Sequence, residues 1–119
     1  MIAEPEVHFV RDQEVLVPNI AAWKRERLLD LPQNQRFEVV PDWVCEVLSP
    51  STVDTDRKTK MRVYAAYGVD HVWLADPMQR VLEAYRLHNG EWAQIGKFAS
   101  AEPIRAAPFA AITIEPPWA

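Results

Sequence analysis

Residues 41–52 read PDWVCEVLSPST, a mostly apolar run that ends at Pro50. Such a run is typical of a buried central strand. Because side chains alternate between the two faces of a strand, Glu46 would share a face with Val44 and Leu48. A carboxylate withdrawn from water is costly unless it is paired, hydrogen-bonded or bound to a metal. Glu46 therefore needs a partner, which is either a basic side chain in a structural ion pair or part of a functional site.

The size and composition of the chain indicate one domain that covers residues 1–119. This length suffices for one hydrophobic core, and 49% hydrophobic and 25% charged residues are ordinary values for a globular protein. The formal net charge of -4 argues against a protein that holds nucleic acid by bulk electrostatic attraction, since such domains are usually basic.

The cysteine content and the N-terminal sequence bear on the cellular compartment. Cys45 is the single cysteine and lies within the apolar strand, which favours a small core residue in a reducing compartment. The opening MIAEPEVHFV carries acids where a signal peptide would carry basic residues, and no apolar run reaches the roughly 18 residues of a membrane span. We therefore expect a cytoplasmic protein with no membrane segment.

The chain ahead of the central strand predicts further short strands. Residues 8–10 and 15–17 are β-prone and flank a polar turn, so they predict a hairpin. Asn19 precedes the strand-like stretch 20–23, which places it in or at the head of a strand. The polar residues 24–36 predict a loop that leads back to the central strand.

The residues after the central strand predict a helix from about 56 to 67. Good capping side chains and acids occupy its start, and Gly68 is a typical C-terminal stop. Tyr64 and Tyr67 lie four and seven positions after Lys60, so Lys60 falls on the face that should pack inward.

The second half of the chain completes a sheet. Residues 71–75 are apolar without alternation, as expected of a strand covered on both faces, and residues 80–87 alternate in part. The Asn-Gly pair at 89–90 predicts a tight turn into residues 92–98. This order predicts an α/β (α+β) fold, namely a mixed β-sheet with at least one packed helix and a C-terminal β-hairpin. The proline-containing residues 99–119 are expected to wrap the body.

Three polar side chains meet if this arrangement is right. Asn19 belongs to one strand, Glu46 to the next, and Lys60 to the inward face of the following helix. Hard divalent cations choose oxygen ligands, often one or two carboxylates together with substrate phosphate. A nearby ammonium group orients the nucleophile or offsets developing negative charge. Such a set suits phosphodiester hydrolysis.

Longer motifs add a family resemblance. The runs VLVPNIAAW, PDWVCEVLSPST, DRKTKMRVYAAYGVDHVWLADP and VLEAYRL resemble the putative restriction endonuclease family of the PD-(D/E)XK nuclease superfamily. The resemblance implies a restriction-endonuclease-like fold, Mg2+ or Mn2+ as the metal, and DNA as the substrate. It places the catalytic positions at Asn19, Glu46 and Lys60. It places the metal ligands at Asn19, Glu46 and the backbone carbonyl of Val47.

Two departures from the family pattern point to reduced activity. Family members typically carry aspartate at the position of Asn19, and the neutral amide is a weaker ligand by one charge. They also carry an N-terminal helical segment, often with an acid that assists the metal, ahead of the point where this sequence begins. The alternative function is a catalytically inactive nuclease-fold module that binds DNA or a protein partner. An incomplete sheet with an unpaired edge also predicts a homodimer.

Each candidate residue also has a purely structural interpretation. Asn19 can end a strand, and Glu46 with Lys60 can form a structural ion pair. Asp42 is expected to stabilise the start of the central strand rather than to bind metal. The histidines are too scattered to predict a zinc site, and the tryptophans are expected in the core or half-buried in the sheet.

Overall fold

A computed structural model describes the chain over residues 2–4, 6–10, 14–16, 20–24, 27, 36–37, 39–49, 53–109 and 113–115. Within these ranges it forms nine strands and one helix, α1 (Val53–Ala66). The strands are β1 (Ile2–Ala3), β2 (Glu6–Val10), β3 (Glu14–Leu16), β4 (Ile20–Ala22), β5 (Arg36–Phe37), β6 (Trp43–Val47), β7 (His71–Asp76), β8 (Val81–His88) and β9 (Glu91–Ala99). No helix in these ranges is both long and apolar enough to cross a bilayer.

The main sheet has six strands in the order β1-β4-β6-β7-β8-β9. Its neighbours run antiparallel except for β6 and β7, which are parallel and are joined by α1. A parallel pair needs such a crossover connection, because a short turn cannot return the chain to the same end of the sheet. The predicted mixed sheet with a packed helix and a C-terminal hairpin is confirmed.

A smaller sheet of three strands, in the order β3-β2-β5, lies in the first part of the chain. The predicted hairpin is confirmed, since β2 and β3 pair antiparallel. The prediction of a loop up to residue 36 is wrong at its end, because Arg36–Phe37 pairs in parallel with β2. Isolated two-residue strands carry almost no periodic signal, so only the neighbouring strand reveals them.

Both faces of the main sheet are covered. On the helix side, a buried cluster contains Ala21, Val44, Leu48, Tyr64, Val69, Val72 and Leu74. On the opposite side, a second cluster contains Trp43, Cys45, Trp73, Ala75, Leu82, Ala84, Ile104 and Ala106. Strand β6 therefore runs between two apolar layers, which explains why its sequence is apolar almost throughout.

The end of α1 is fixed by Gly68, as the sequence predicts. Gly68 has a φ of 78°, a conformation that costs glycine little. The Val69 N–H donates to the carbonyl of Tyr64 at 3.0 Å, and the Gly68 N–H donates to that of Ala65 at 3.2 Å. These two bonds form a Schellman motif, which ends the helix and holds Tyr64 and Val69 against the sheet.

Two details differ from the predicted helix. It begins at Val53 rather than near residue 56, since the capping side chains there allow more than one start. Tyr67 is 36% exposed rather than turned inward. The helix ends at Ala66, so the spacing that relates Tyr67 to Lys60 no longer applies there.

The hairpin between β8 and β9 turns at Asn89 and Gly90, as predicted, with φ angles of 51° and 78°. Both angles are positive, as a type I′ turn requires. After β9 the chain covers the face opposite the helix, where Ile104 forms a β-bridge with Ile114 and is 1% exposed. The expected wrapping of this segment is thus seen in its described residues.

The strand register decides which side chains face α1. Glu46 lies opposite Leu74 of β7, and Leu74 lies opposite Glu83 of β8. Directly paired residues point to the same face of a sheet. Two carboxylates, Glu46 and Glu83, are therefore two strands apart on the helix-covered face, at a separation of roughly 10 Å.

Candidate active site

Glu46 is a buried carboxylate near the end of β6, and its side chain points towards α1. The residue is 5% exposed, and its neighbour Leu74 on β7 is 2% exposed. A charge in such surroundings requires specific partners, which is the condition that the sequence alone already imposed.

Helix α1 supplies two partners to this carboxylate. The Lys60 Nζ donates to Glu46 Oε2 at 3.2 Å, and the Tyr64 hydroxyl donates to Glu46 Oε1 at 2.5 Å. Lys60 and Tyr64 lie four residues apart, which places them on the same helical face. The structure therefore brings Glu46 and Lys60 together, while their chemical roles stay predictions.

A small pocket opens beside this pair. Its walls include Glu46 and Val47 from β6, Lys60 and Arg57 from α1, Leu48 and Leu74. The empty volume is about 290 Å³ including the open mouth, and the room deep inside is close to that of one water molecule. Val47, at the end of β6, is 49% exposed. The carboxylate is thus buried and yet lines a pocket that reaches the surface.

A second polar cluster adjoins the pocket through Arg57. The Arg57 Nη2 donates to Glu83 Oε1 at 3.0 Å and contacts the Tyr85 hydroxyl at 2.9 Å. The Tyr85 hydroxyl in turn donates to Glu83 Oε2 at 2.9 Å. Burial raises the pKa of Tyr85, and the hydrogen bond to Glu83 and the charge of that carboxylate raise it further. Tyr85 is therefore a neutral donor near pH 7.

The sequence patterns did not predict this cluster or the hydroxyl of Tyr64 as a donor to Glu46. The sequence does carry a spacing signal for the helix residue and for the strand residues of the cluster. Arg57 precedes Lys60 by three residues, a spacing that shares a helical face, and Glu83 and Tyr85 are two apart on one strand face. What the sequence lacked was the pairing of β8 with β7, which brings those two residues under the helix.

Asn19, the remaining predicted site residue, lies outside the described residues. Ile20, which follows it, pairs with Cys45, the residue before Glu46. Strands β4 and β6 are therefore neighbours, as the predicted site requires. The assignment of Asn19 stays a prediction.

Asp42 takes the structural role that the sequence predicts. Its Oδ1 accepts from Arg27 Nη1 at 2.6 Å, and its Oδ2 accepts from the Lys24 backbone N–H at 2.6 Å. It lies just before β6, whereas Glu46 is near the far end of that strand. A cavity of about 690 Å³ adjoins Asp42 at this opposite end of the sheet, with Trp43 and His71 among its walls.

Cys45, Trp43 and Trp73 lie in the hydrophobic core. Cys45 faces away from α1, and burial, followed by the charge of Glu46, raises the pKa of its thiol to about 12. Trp43 and Trp73 are 3% and 4% exposed and pack edge to face at 5.4 Å. The expectation of core tryptophans is confirmed for these two.

The pocket offers one carboxylate to a hard divalent cation, which is the smallest protein donor set that such a cation uses. Among the described residues, no three His, Cys, Asp or Glu side chains converge on one point. Glu46 is the carboxylate that lines the small pocket. Mg2+ is commonly held by one or two carboxylates with water and substrate phosphates completing its shell, so the single Glu46 carboxylate matches the minimum of that pattern.

Comparison with known proteins identifies a family and a similar solved structure. A family model described as "Putative restriction endonuclease" (Uma2) matches residues 2–115. A crystal structure of a putative nuclease belonging to DUF820 from Anabaena variabilis superposes with a TM-score of 0.73 at 22% identity. The match covers 96% of this chain and 63% of that one, and it shows a common fold. No curated protein matches.

Proposed function

Because this chain belongs to the Uma2 family, described as putative restriction endonuclease, we propose that it hydrolyses phosphodiester bonds of DNA with Mg2+ or Mn2+. The nuclease fold is common to the Anabaena variabilis protein. The observation that carries the proposal is the pairing of the buried Glu46 carboxylate with the Lys60 ammonium in one accessible pocket. A metal-dependent nuclease uses a cation-binding acid and a positive charge at one place, and this pocket holds both.

Glu46 is the proposed principal metal ligand, with the Val47 backbone carbonyl and Asn19 completing the protein donors. All three offer oxygen atoms, which Mg2+ and Mn2+ accept. The metal, when bound, polarises the phosphoryl oxygen and lowers the pKa of water. Tyr64 is a positioning residue, since its hydroxyl holds Glu46 Oε1 and so fixes the orientation of the carboxylate.

Lys60 is the proposed charge-stabilising residue. Its ammonium now contacts Glu46 Oε2, and its side chain is 23% exposed, so it is held at the pocket while remaining able to reach a ligand. A phosphate arriving beside the carboxylate would place developing negative charge next to this ammonium. Stabilisation of that charge by a fixed cation is the type of contribution that lowers the barrier to phosphoryl transfer.

The experiment that tests the proposal is cleavage of supercoiled plasmid by the purified chain with Mg2+, with Mn2+ and with EDTA. We expect nicking with either metal and none with EDTA. The Glu46→Gln variant should lose nicking and also lose Mn2+ binding in calorimetry. Glu91→Gln, a change of the same kind at the exposed first residue of β9, should match the wild type. Absence of both nicking and metal binding in the wild type would refute the enzymatic proposal.

A second candidate function is a nuclease-fold module that binds DNA or a protein without cutting. The same ion pair favours it in one respect, because Lys60 occupies a carboxylate oxygen that a metal would need. A domain of this kind would bind labelled DNA in EDTA in a salt-dependent manner while leaving plasmid intact. If the protein neither binds nor nicks DNA, the result would point to a protein partner.

A further inference from the structure

A second, larger groove adjoins the Glu46 pocket. Its empty volume is about 650 Å³, and its walls include Leu48, Arg57, Asp76, Gln79, Glu83 and Lys97. Leu48 and Arg57 also line the Glu46 pocket, so the two spaces adjoin and share part of a wall. We call the second space the Arg57–Lys97 groove.

The two carboxylates of the groove already have donors. Glu83 accepts from Arg57 and from Tyr85. Asp76 Oδ1 accepts from the backbone N–H groups of Met78 and Gln79 at 3.0 and 3.1 Å, which builds the turn between β7 and β8. Both acids are therefore engaged in holding the walls of the groove.

The two cations of the groove keep donors available. Both contacts of Arg57 use its Nη2, and a guanidinium carries five N–H donors. Lys97 lies opposite Glu83 on β9 and is exposed, and within the described residues its ammonium is in no ion pair. Proteins use both the guanidinium of arginine and the ammonium of lysine to bind phosphate.

The spacing of the strands separates the groove from the Glu46 pocket. Glu46 is on β6 and Lys97 is on β9, three strand spacings away, or roughly 14 Å across the sheet. This spacing leaves room for one phosphate at Glu46 and a second at Lys97. A ligand that carries two phosphates on one extended chain can therefore fill both spaces.

We propose that the Arg57–Lys97 groove binds a backbone phosphate of the strand that is cut, at a position beyond the phosphate held at Glu46 and Lys60. This proposal rests on the proposed nuclease function and adds a phosphate-binding subsite formed by Arg57 and Lys97. It requires a DNA strand that extends past the cleaved bond into the groove.

The test is binding of a labelled DNA duplex in EDTA across a series of salt concentrations. Lys97→Gln removes one phosphate contact, so the slope of log K against log salt should become shallower by about one. Lys58→Gln is the matched control, because Lys58 is exposed on α1 and lines neither space. Equal slopes for the two variants would overturn the proposal.

A substrate with one neutral methylphosphonate group at successive positions locates the contact. One position should weaken binding to the wild type and have no further effect in Lys97→Gln, because the two changes remove the same interaction. Additive losses at every position would overturn the assignment of this phosphate.

The failure of this inference is distinguishable from failure of the proposed function. If the wild type nicks plasmid while Lys97→Gln and Lys58→Gln have equal salt slopes, only the proposed phosphate site in the groove is contradicted. A wild type that neither binds nor cuts DNA contradicts both. Arg57→Lys is an independent test of the phosphate site in the groove. Lysine keeps the positive charge but cannot make the bidentate hydrogen bonds of a guanidinium, so DNA binding should weaken while the salt slope stays unchanged.

Discussion

The Lys60 ammonium lies 3.2 Å from Glu46 Oε2, although the two residues are 14 positions apart in the chain. The contact joins β6 to α1, the helix that connects the parallel strands β6 and β7. It satisfies a buried charge, and it also places an acid and a cation in the same pocket. The structural and the catalytic interpretations of this pair make different predictions.

Lys60→Gln separates the two interpretations. If Lys60 stabilises the reacting phosphate, plasmid nicking should fall by about a hundredfold or more, while Mn2+ affinity stays the same or rises because a competing cation is gone. The measurements are nicking rate and calorimetry, with Lys58→Gln as the control. A variant that nicks like the wild type but is less stable to urea would identify a purely structural ion pair.

Tyr64→Phe should destabilise the fold. The change removes the hydroxyl that donates to Glu46 Oε1 and leaves a buried carboxylate short of one donor, at a cost of roughly 1–3 kcal/mol. The measurement is the free energy of unfolding in urea. Tyr67→Phe is the control, since Tyr67 is 36% exposed and water can replace its hydrogen bonds. Equal losses for the two variants would contradict the role of Tyr64.

The Cys45 thiol should react slowly with labelling reagents in the folded protein. Its ionisation should lower the stability of the fold in alkaline solution. Its pKa is raised from 9.0 to about 12, so the folded state keeps the proton that the unfolded state releases. The stabilisation is complete below about pH 9 and is lost as the pH rises towards 12. Urea unfolding at increasing pH should show this loss in the wild type and a smaller one in Cys45→Ala. Fast labelling of the native thiol near pH 8 would contradict the burial.

Asn19→Asp should strengthen metal binding. An added negative charge close to a divalent cation is worth more than about 1.4 kcal/mol, so the affinity for Mn2+ should rise by at least roughly tenfold. Calorimetry measures the change, and nicking should increase with it. An unchanged affinity would remove Asn19 from the proposed site.

The chain should form a homodimer in solution. The main sheet ends at β9, a nine-residue strand with β8 as its one neighbour among the described strands, and such an edge favours pairing with a second chain. Sedimentation equilibrium should give twice the chain mass of 13.7 kDa. A mass of one chain at all concentrations would show that the edge is left unpaired.

Local sequence signals predicted most of the elements. Gly68 ends the helix and the Asn-Gly pair makes the hairpin, because both depend on φ angles that few other residues adopt. The inward position of Lys60 followed from helical periodicity alone. The acid in an otherwise apolar strand marked Glu46 before any partner was known.

Other features depended on contacts between distant segments. The Arg57, Glu83 and Tyr85 cluster needs β8 to pair with β7 in one particular register, since a shift of one residue would turn both strand side chains away from α1. The short β5 exists only as a neighbour of β2. Periodicity within one element cannot predict either relationship.

The sequence by itself determined a mixed sheet with a packed helix. It also placed a buried acid on a strand of that sheet and a lysine on the inner face of the helix. Only the tertiary structure decided that Tyr64 shares the acid with Lys60, and that Arg57 links the pocket to a second groove. The physical reason is that backbone preferences and periodicity act over a few residues. The partners of a buried charge are chosen by the packing of strands and helix across the whole sheet.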